Sequence, residues 1–123
     1  MVFDSISELF AFASSAYSVP SILFYGPFRL FSQEGTQQGD PLGPLLFCNT
    51  VQPLLLSLAS EMTFGYLDDF TLAGDVATVA QDVSRIADLS SKMGLVLNAA
   101  KCELVAHSGL VLLSCRVGRC GLR

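Results

Sequence analysis

The sequence predicts an α+β domain built on an antiparallel sheet. Three observations point there. Apolar side chains recur at helical spacing near the start of the chain and again over residues 76–93. Short β-prone runs flank turn signals at Gly26-Pro27 and Leu67-Asp68-Asp69. The elements alternate as helix then hairpin, three times over, which is the order of an α+β layer.

Taken in order, Phe3, Ile6, Leu9, Phe10, Ala13 and Tyr17 make residues 3–17 an amphipathic helix that ends before Pro20. Residues 21–25 and 28–31 then read as a hairpin about Gly26-Pro27. A polar loop, 32–40, leads into a helix with two possible starts, Asp40-Pro41 and Gly43-Pro44. That helix is apolar nearly all round, which predicts burial, and Pro53 should bend or interrupt it. Residues 62–66 and 70–73 form a second hairpin. Asp75 caps a third helix with an expected buried stripe of Val76, Val79, Val83, Ile86, Leu89 and Met93, an Asp88/Lys92 pair on its solvent face and Gly94 as its stop. Residues 95–97 and 102–105 read as short strands about a turn at Asn98. After Ser108, residues 109–113 suggest a strand, and the Gly- and Arg-rich end shows no pattern.

Composition narrows the function classes. Of the 123 residues, 51% are hydrophobic and 15% charged, against about 25% charged in a typical soluble domain. This predicts exposed apolar surface and poor solubility in isolation. The net charge is −4, with seven Lys and Arg, three of them in the last eight residues. A free-standing nucleic-acid binder carries a basic face, so only weak binding is expected from this stretch alone. Residues 41–60 are uncharged but interrupted by three prolines and by polar Asn49, Thr50 and Gln52. That favours a core helix over a membrane span, which needs about 20 apolar residues. The first residues carry acids where a secretory signal would be basic, so an intracellular chain with free thiols is expected. Cys102, His107, Cys115 and Cys120 match no common zinc spacing.

Three segments could carry chemistry. In Tyr66-Leu67-Asp68-Asp69, adjacent carboxylates on a hairpin turn can converge on one point, which suits phosphoryl and nucleotidyl transfer with two metal ions about 4 Å apart. Aspartate is also an ordinary turn residue. In residues 34–44, Gly35, Gly39 and Gly43 permit close backbone approach, and the helix that follows offers free N–H groups to an anion; a plain helix-capped turn explains the same residues. In residues 94–101, Lys101 follows a strand and could reach phosphates or protonate a pyrophosphate leaving group, or could simply be solvated.

Together and in this order, Gln38-Gly39-Asp40-Pro41-Leu42-Gly43-Pro44, Tyr66-Leu67-Asp68-Asp69 and Gly94-Leu95-Val96-Leu97-Asn98 with Lys101 resemble the reverse transcriptase domain, closest to the non-LTR retrotransposon branch. Tyr17 and Pro20-Ser21-Ile22-Leu23 fit the same run. The resemblance covers about residues 1–105. It implies a partial polymerase palm, ferredoxin-like, over residues 1–107, with 108–123 a tail outside the family pattern. It implies RNA-directed DNA synthesis from deoxynucleoside triphosphates on an RNA template and a DNA primer. By the same resemblance Asp68 and Asp69 bind catalytic Mg²⁺, Tyr66 stands beside the primer end, Gln38 and Gly39 line the nucleotide and template pocket, and Lys101 protonates pyrophosphate.

The chain also departs from the family. A further metal-binding Asp is expected on a strand upstream of Met1; Asp4, at the start of the first helix, is a poor substitute. Most of the fingers and the thumb are likewise outside the pattern. Gln37 replaces a frequent basic residue, and Gly43 stands where Ser is common. A two-ion site without the shared third carboxylate should lose affinity and geometry, so the isolated chain is expected to be inactive. The alternatives are a non-catalytic remnant or apolar interaction module and, behind these, a small membrane-associated protein.

Overall fold

The computed structural model describes residues 7–32, 35, 36 and 39–119, and it is α+β. The chain divides into two compact units, residues 1–50 and 51–123.

The N-terminal unit opens with α1 (Ser7–Tyr17). Ala13 is its buried residue, with Phe10 and Tyr17 half-buried beside it, so the inner face follows the expected spacing. Phe3 and Ile6 of the expected stripe lie outside the described residues. Strands β1 (Ser21–Tyr25) and β2 (Phe28–Ser32) pair antiparallel about a two-residue turn, with Tyr25 opposite Phe28. Gly26 takes φ +57°, the left-handed conformation that favours glycine in a tight turn. Seven large apolar side chains of this hairpin are exposed, Phe24 and Tyr25 by more than 70%. Helix α2 (Gly43–Leu56), whose residues 51–56 belong to the second unit, uses the second of the two possible starts. The Asp40 carboxylate accepts the Leu42 N–H at 2.9 Å and the Asp40 carbonyl accepts the Gly43 N–H at 3.0 Å, so the loop enters the helix already turned.

Two expectations for α2 need correction. It is not interrupted at Pro53, which lies inside it, and it is not buried all round: Asn49, Val51 and Leu54 are buried, while Leu45 and Leu56 are exposed. An apolar helix is buried only on the sides that have neighbours, and hydropathy alone does not reveal which sides those are.

The C-terminal unit is a four-stranded antiparallel sheet in the order β3-β4-β6-β5, with α3 packed across β4, β5 and β6. Its strands are β3 (Met62–Tyr66), β4 (Asp69–Asp75), β5 (Leu95–His107) and β6 (Leu110–Arg119), and α3 is Val76–Lys92. Alternate residues of the inner strands face the helix. Phe70 and Leu72 on β4 and Val111, Leu113, Cys115 and Val117 on β6 are buried, and they meet Val79 and Ile86 of α3 in the core. The opposite face stays open, with Met62, Phe64 and Tyr66 exposed on β3 and Leu110 and Leu112 on β6.

Helix α3 begins as expected. The Asp75 carboxylate accepts the N–H groups of Ala77 at 3.0 Å and Thr78 at 3.1 Å. Gly94, at φ +74°, stands just beyond its end. Asp75→Ala should therefore cost about 1 kcal/mol in urea unfolding, with Asp75→Ser recovering most of it. The buried stripe is Val79, Asp82, Ile86 and Ser90, and Val76 is exposed. The ion pairs among the described residues all involve Arg116, so the expected Asp88/Lys92 pair does not form.

The third hairpin also differs. Residues 95–107 form one strand, and the expected turn at Asn98 is a bulge in which Ala99 to Cys102 stand against Cys115. The chain reverses instead at Ser108-Gly109, at φ +49° and +84°, with His107 opposite Leu110. The strand suggested over residues 109–113 runs on into the Gly- and Arg-rich end, and Leu110–Arg119 is an inner strand of the sheet.

Candidate catalytic carboxylate site

The acidic turn sits at the tip of the β3–β4 hairpin. Tyr66 pairs with Asp69, which leaves Leu67 and Asp68 as a two-residue turn. Leu67 takes φ +52°, a conformation that costs a non-glycine residue about 1–2 kcal/mol and that clusters at functional turns. The turn is tied to the sheet by the Val117 N–H, which donates to the Asp68 carbonyl at 2.9 Å. Asp68, Asp69 and Tyr66 are all accessible from the open side of the sheet, since Tyr66 is exposed and both Asp side chains are half-exposed.

The residue that dominates the site is Arg116. It stands opposite Asp69 in the β4–β6 register. Its guanidinium donates to both Asp69 carboxylate oxygens, from Nε at 2.5 Å and Nη2 at 2.7 Å, and its Nε lies 3.5 Å from Asp68 Oδ2. This is the bidentate fork that gives Arg–carboxylate pairs their strength and direction. The hydrogen bonds from Arg116 hold the Asp69 carboxyl below the usual carboxylate range. Burial opposes the shift, and the positive charges of Arg116 and Lys101 add to it. Lys101 is exposed on the β5 bulge, and its charge reaches Asp69. The bulge is shaped in part by Asn98, whose side-chain oxygen accepts the Ala100 N–H at 3.1 Å. Beneath the site, burial foremost, then the nearby Cys102 and Asp69, pushes the Cys115 thiol up to about 11, which makes it an inert core residue.

The C-terminal unit thus brings together Tyr66, Asp68, Asp69 and the charge of Lys101. Gly39 belongs to the N-terminal unit, where it is exposed at φ +88° with open space where a Cβ would be. Gln38 lies outside the described residues. Beside Gly39, Tyr17 donates a hydrogen bond to the Asp40 carboxylate. That bond, with the one from the Leu42 N–H, holds the Asp40 carboxyl low. An open depression of about 420 Å³ between Met62, Ala73, Val105, His107 and Leu110 marks the end of the hairpin away from the turn, and it includes none of the expected site residues. Among the described residues no group of three or more His, Cys, Asp or Glu side chains is placed to share a metal ion, and no helix is long and apolar enough to cross a membrane.

Residues 3–116 match the family model described as reverse transcriptase (RNA-dependent DNA polymerase). The chain belongs to the reverse transcriptase family. It is also 33% identical, over 94 residues, to the retrovirus-related Pol polyprotein from the type-2 retrotransposable element R2DM of Drosophila melanogaster. That alignment covers 68% of this chain and 9% of the polyprotein, so the chain spans about a tenth of the length of the relative it matches. No solved structure matches it. The two similarities make it a reverse transcriptase fragment of the non-LTR type. The family match runs through Arg116, so it takes in most of β6.

Arg116 is the site residue that sequence reasoning missed. Its signal was present in the alternation of Val111, Leu113, Cys115 and Val117, which marks a half-buried strand with residue 116 on the opposite face.

Proposed function

We propose that this stretch supplies the hairpin carboxylates of a palm that carries out templated DNA synthesis on RNA, and that the 123-residue chain alone does not polymerise. The observation that supports the first part is the two-residue turn that presents Asp68 and Asp69, half-exposed, beside Tyr66 on an open sheet face. Family membership supports reading that turn as the metal-facing one. In such enzymes divalent ions stabilise charge on the attacking and leaving oxygens.

The residues as arranged do not fit a two-ion site. A carboxylate that ligates Mg²⁺ must offer a free oxygen lone pair along a metal–oxygen vector of about 2.1 Å. Here both Asp69 oxygens accept hydrogen bonds from Arg116, and Asp68 shares that charge. On this reading Lys101 would donate the proton to the pyrophosphate leaving group, Tyr66 would support the primer end, and Gln38 with Gly39 would contact the incoming nucleotide and template. RNA template, DNA primer and deoxynucleoside triphosphate are the partners assigned. At net charge −4 the chain would add little phosphate grip of its own.

Primer extension tests this. Purified chain on a poly-A template with an oligo-dT primer and Mg²⁺ should incorporate no more thymidine nucleotide than its Asp68→Ala variant. Incorporation that Asp68→Ala abolishes would show that the site is open and competent, and would overturn the second part of the proposal.

A further inference from the structure

The contact that keeps the carboxylates from fitting a metal is specific enough to be a device in its own right. We infer that Arg116 acts as an internal cation that closes the Asp68–Asp69 pair to divalent ions, an autoinhibitory contact carried by β6. The inference rests on reading that pair as the metal-facing carboxylates of the palm.

Three features of the geometry carry it. The first is the placement of charge. Arg116 engages Asp69 through both oxygens and lies within ion-pair distance of Asp68, so one guanidinium occupies the place where the two carboxylates converge. A divalent ion shared by both carboxylates must take the position between them that the guanidinium now holds through a bidentate, charge-assisted pair.

The second is anchorage. Arg116 is not on a loose tail. Its neighbours Cys115 and Val117 are buried in the core, its strand pairs with β4 from Asp69 to Asp75, and the Val117 N–H holds the Asp68 carbonyl. The guanidinium is therefore held at the acidic turn by the sheet itself.

The third is lane occupancy. Strand β4 has two sheet neighbours. One is β3, the other arm of its own hairpin; the other is β6. A strand bringing a further carboxylate beside Asp69 within this sheet would need the lane that β6 now fills. Opening the site to metal and admitting such a strand thus require the same movement, the release of β6 from β4.

The experiment is Mn²⁺ titration followed by electron paramagnetic resonance, which reads binding without polymerase activity. It uses the full chain as wild type, Arg116→Gln, and Arg116→Gln combined with Asp68→Asn and Asp69→Asn. The Arg116→Gln chain should bind one Mn²⁺ about tenfold more tightly than wild type or better, since the competing fork is gone, and the triple variant should lose that site. Equal, tight binding by wild type and Arg116→Gln would overturn the autoinhibitory contact while leaving the carboxylate pair as a metal site. No saturable binding by either would overturn both readings. Thermal melts check that the variants fold. Should Arg116→Gln fail to, Arg116→Lys, which keeps the charge but not the fork, should bind Mn²⁺ more tightly than wild type, and affinity equal to wild type would count against the proposal.

Discussion

Cutting the chain after Ser108 should abolish the cooperative unfolding transition of the C-terminal unit. The cut removes β6, an inner strand, and with it Val111, Leu113, Cys115 and Val117, a third of the buried apolar side chains among the described residues. Truncating a buried leucine such as Leu113 to alanine costs roughly 2–5 kcal/mol by itself, and the two valines and the cysteine add to that. A domain is stable by only about 5–15 kcal/mol, so losing four side chains together exceeds what the fold can absorb. The backbone loss points the same way. Seven residues of β4 and nine of β5 would lose their paired strand, and unpaired ladder groups left in a sheet interior carry a desolvation cost or recruit another chain. Far-ultraviolet circular dichroism during heating is the measurement. The full chain should melt cooperatively, and residues 1–108 should show a broad, low-temperature drift or aggregate. If residues 1–107 were the whole palm segment and the remainder a tail, the truncated chain would melt as sharply as the full one, and the core role given to β6 would be refuted.

What could be read from the sequence followed local rules. The Asp75 cap, the Gly94 stop and the turn at Gly26-Pro27 emerged where backbone chemistry at single positions decides the outcome, and the turn expected at Leu67-Asp68-Asp69 proved one residue shorter, with Asp69 in β4. The acidic pair was legible because it lies at the hairpin's tip, Asp68 in the turn and Asp69 opening β4. What escaped depended on pairing across long separations. Asn98 has the side chain of a turn residue and does bond the Ala100 N–H, but the ladder with β6 continues past it and absorbs the turn as a bulge. Tertiary pairing overrode local preference there. Arg116 meets Asp69 across 47 positions of sequence, and no local pattern predicts that contact. Helix α2 was read as buried because its residues are apolar, yet a helix acquires burial from its neighbours, and these cover only part of it.

Asp82→Ala should destabilise the C-terminal unit by about 3 kcal/mol, an effect invisible in a hydropathy plot, where Asp82 interrupts the apolar stripe between Val79 and Ile86. Asp82 is buried, and its carboxylate gathers three donors from the link between α2 and β3: the Ala59 N–H at 2.9 Å, the Ser60 N–H at 2.7 Å and the Ser60 hydroxyl at 2.5 Å. One turn on, Arg85 donates to the Ser57 carbonyl. Together these bonds fasten α3 to the segment that leads into the β3–β4 hairpin. Removing the carboxylate takes away, at one stroke, the acceptor of the Ala59 N–H, the Ser60 N–H and the Ser60 hydroxyl. Burial alone would push the Asp82 carboxyl up. The Ser60 side chain, the two backbone N–H groups and the Arg85 charge outweigh it, so the group ends below its ordinary value. Its folded pKa is thus depressed relative to the unfolded chain. The resulting stability is present above about pH 4 and is lost as pH falls through the folded value. Asp69 and Asp40 shift in the same direction, so acid should weaken each unit. Urea unfolding of wild type and Asp82→Asn at neutral and acid pH separates the contributions. The Asn variant can still accept a hydrogen bond but cannot titrate, so its stability should fall less steeply with acid. A variant that tracked wild type across the range would place the acid sensitivity elsewhere, and a neutral-pH loss under 1 kcal/mol for Asp82→Ala would show that the segment can find other acceptors for its N–H groups.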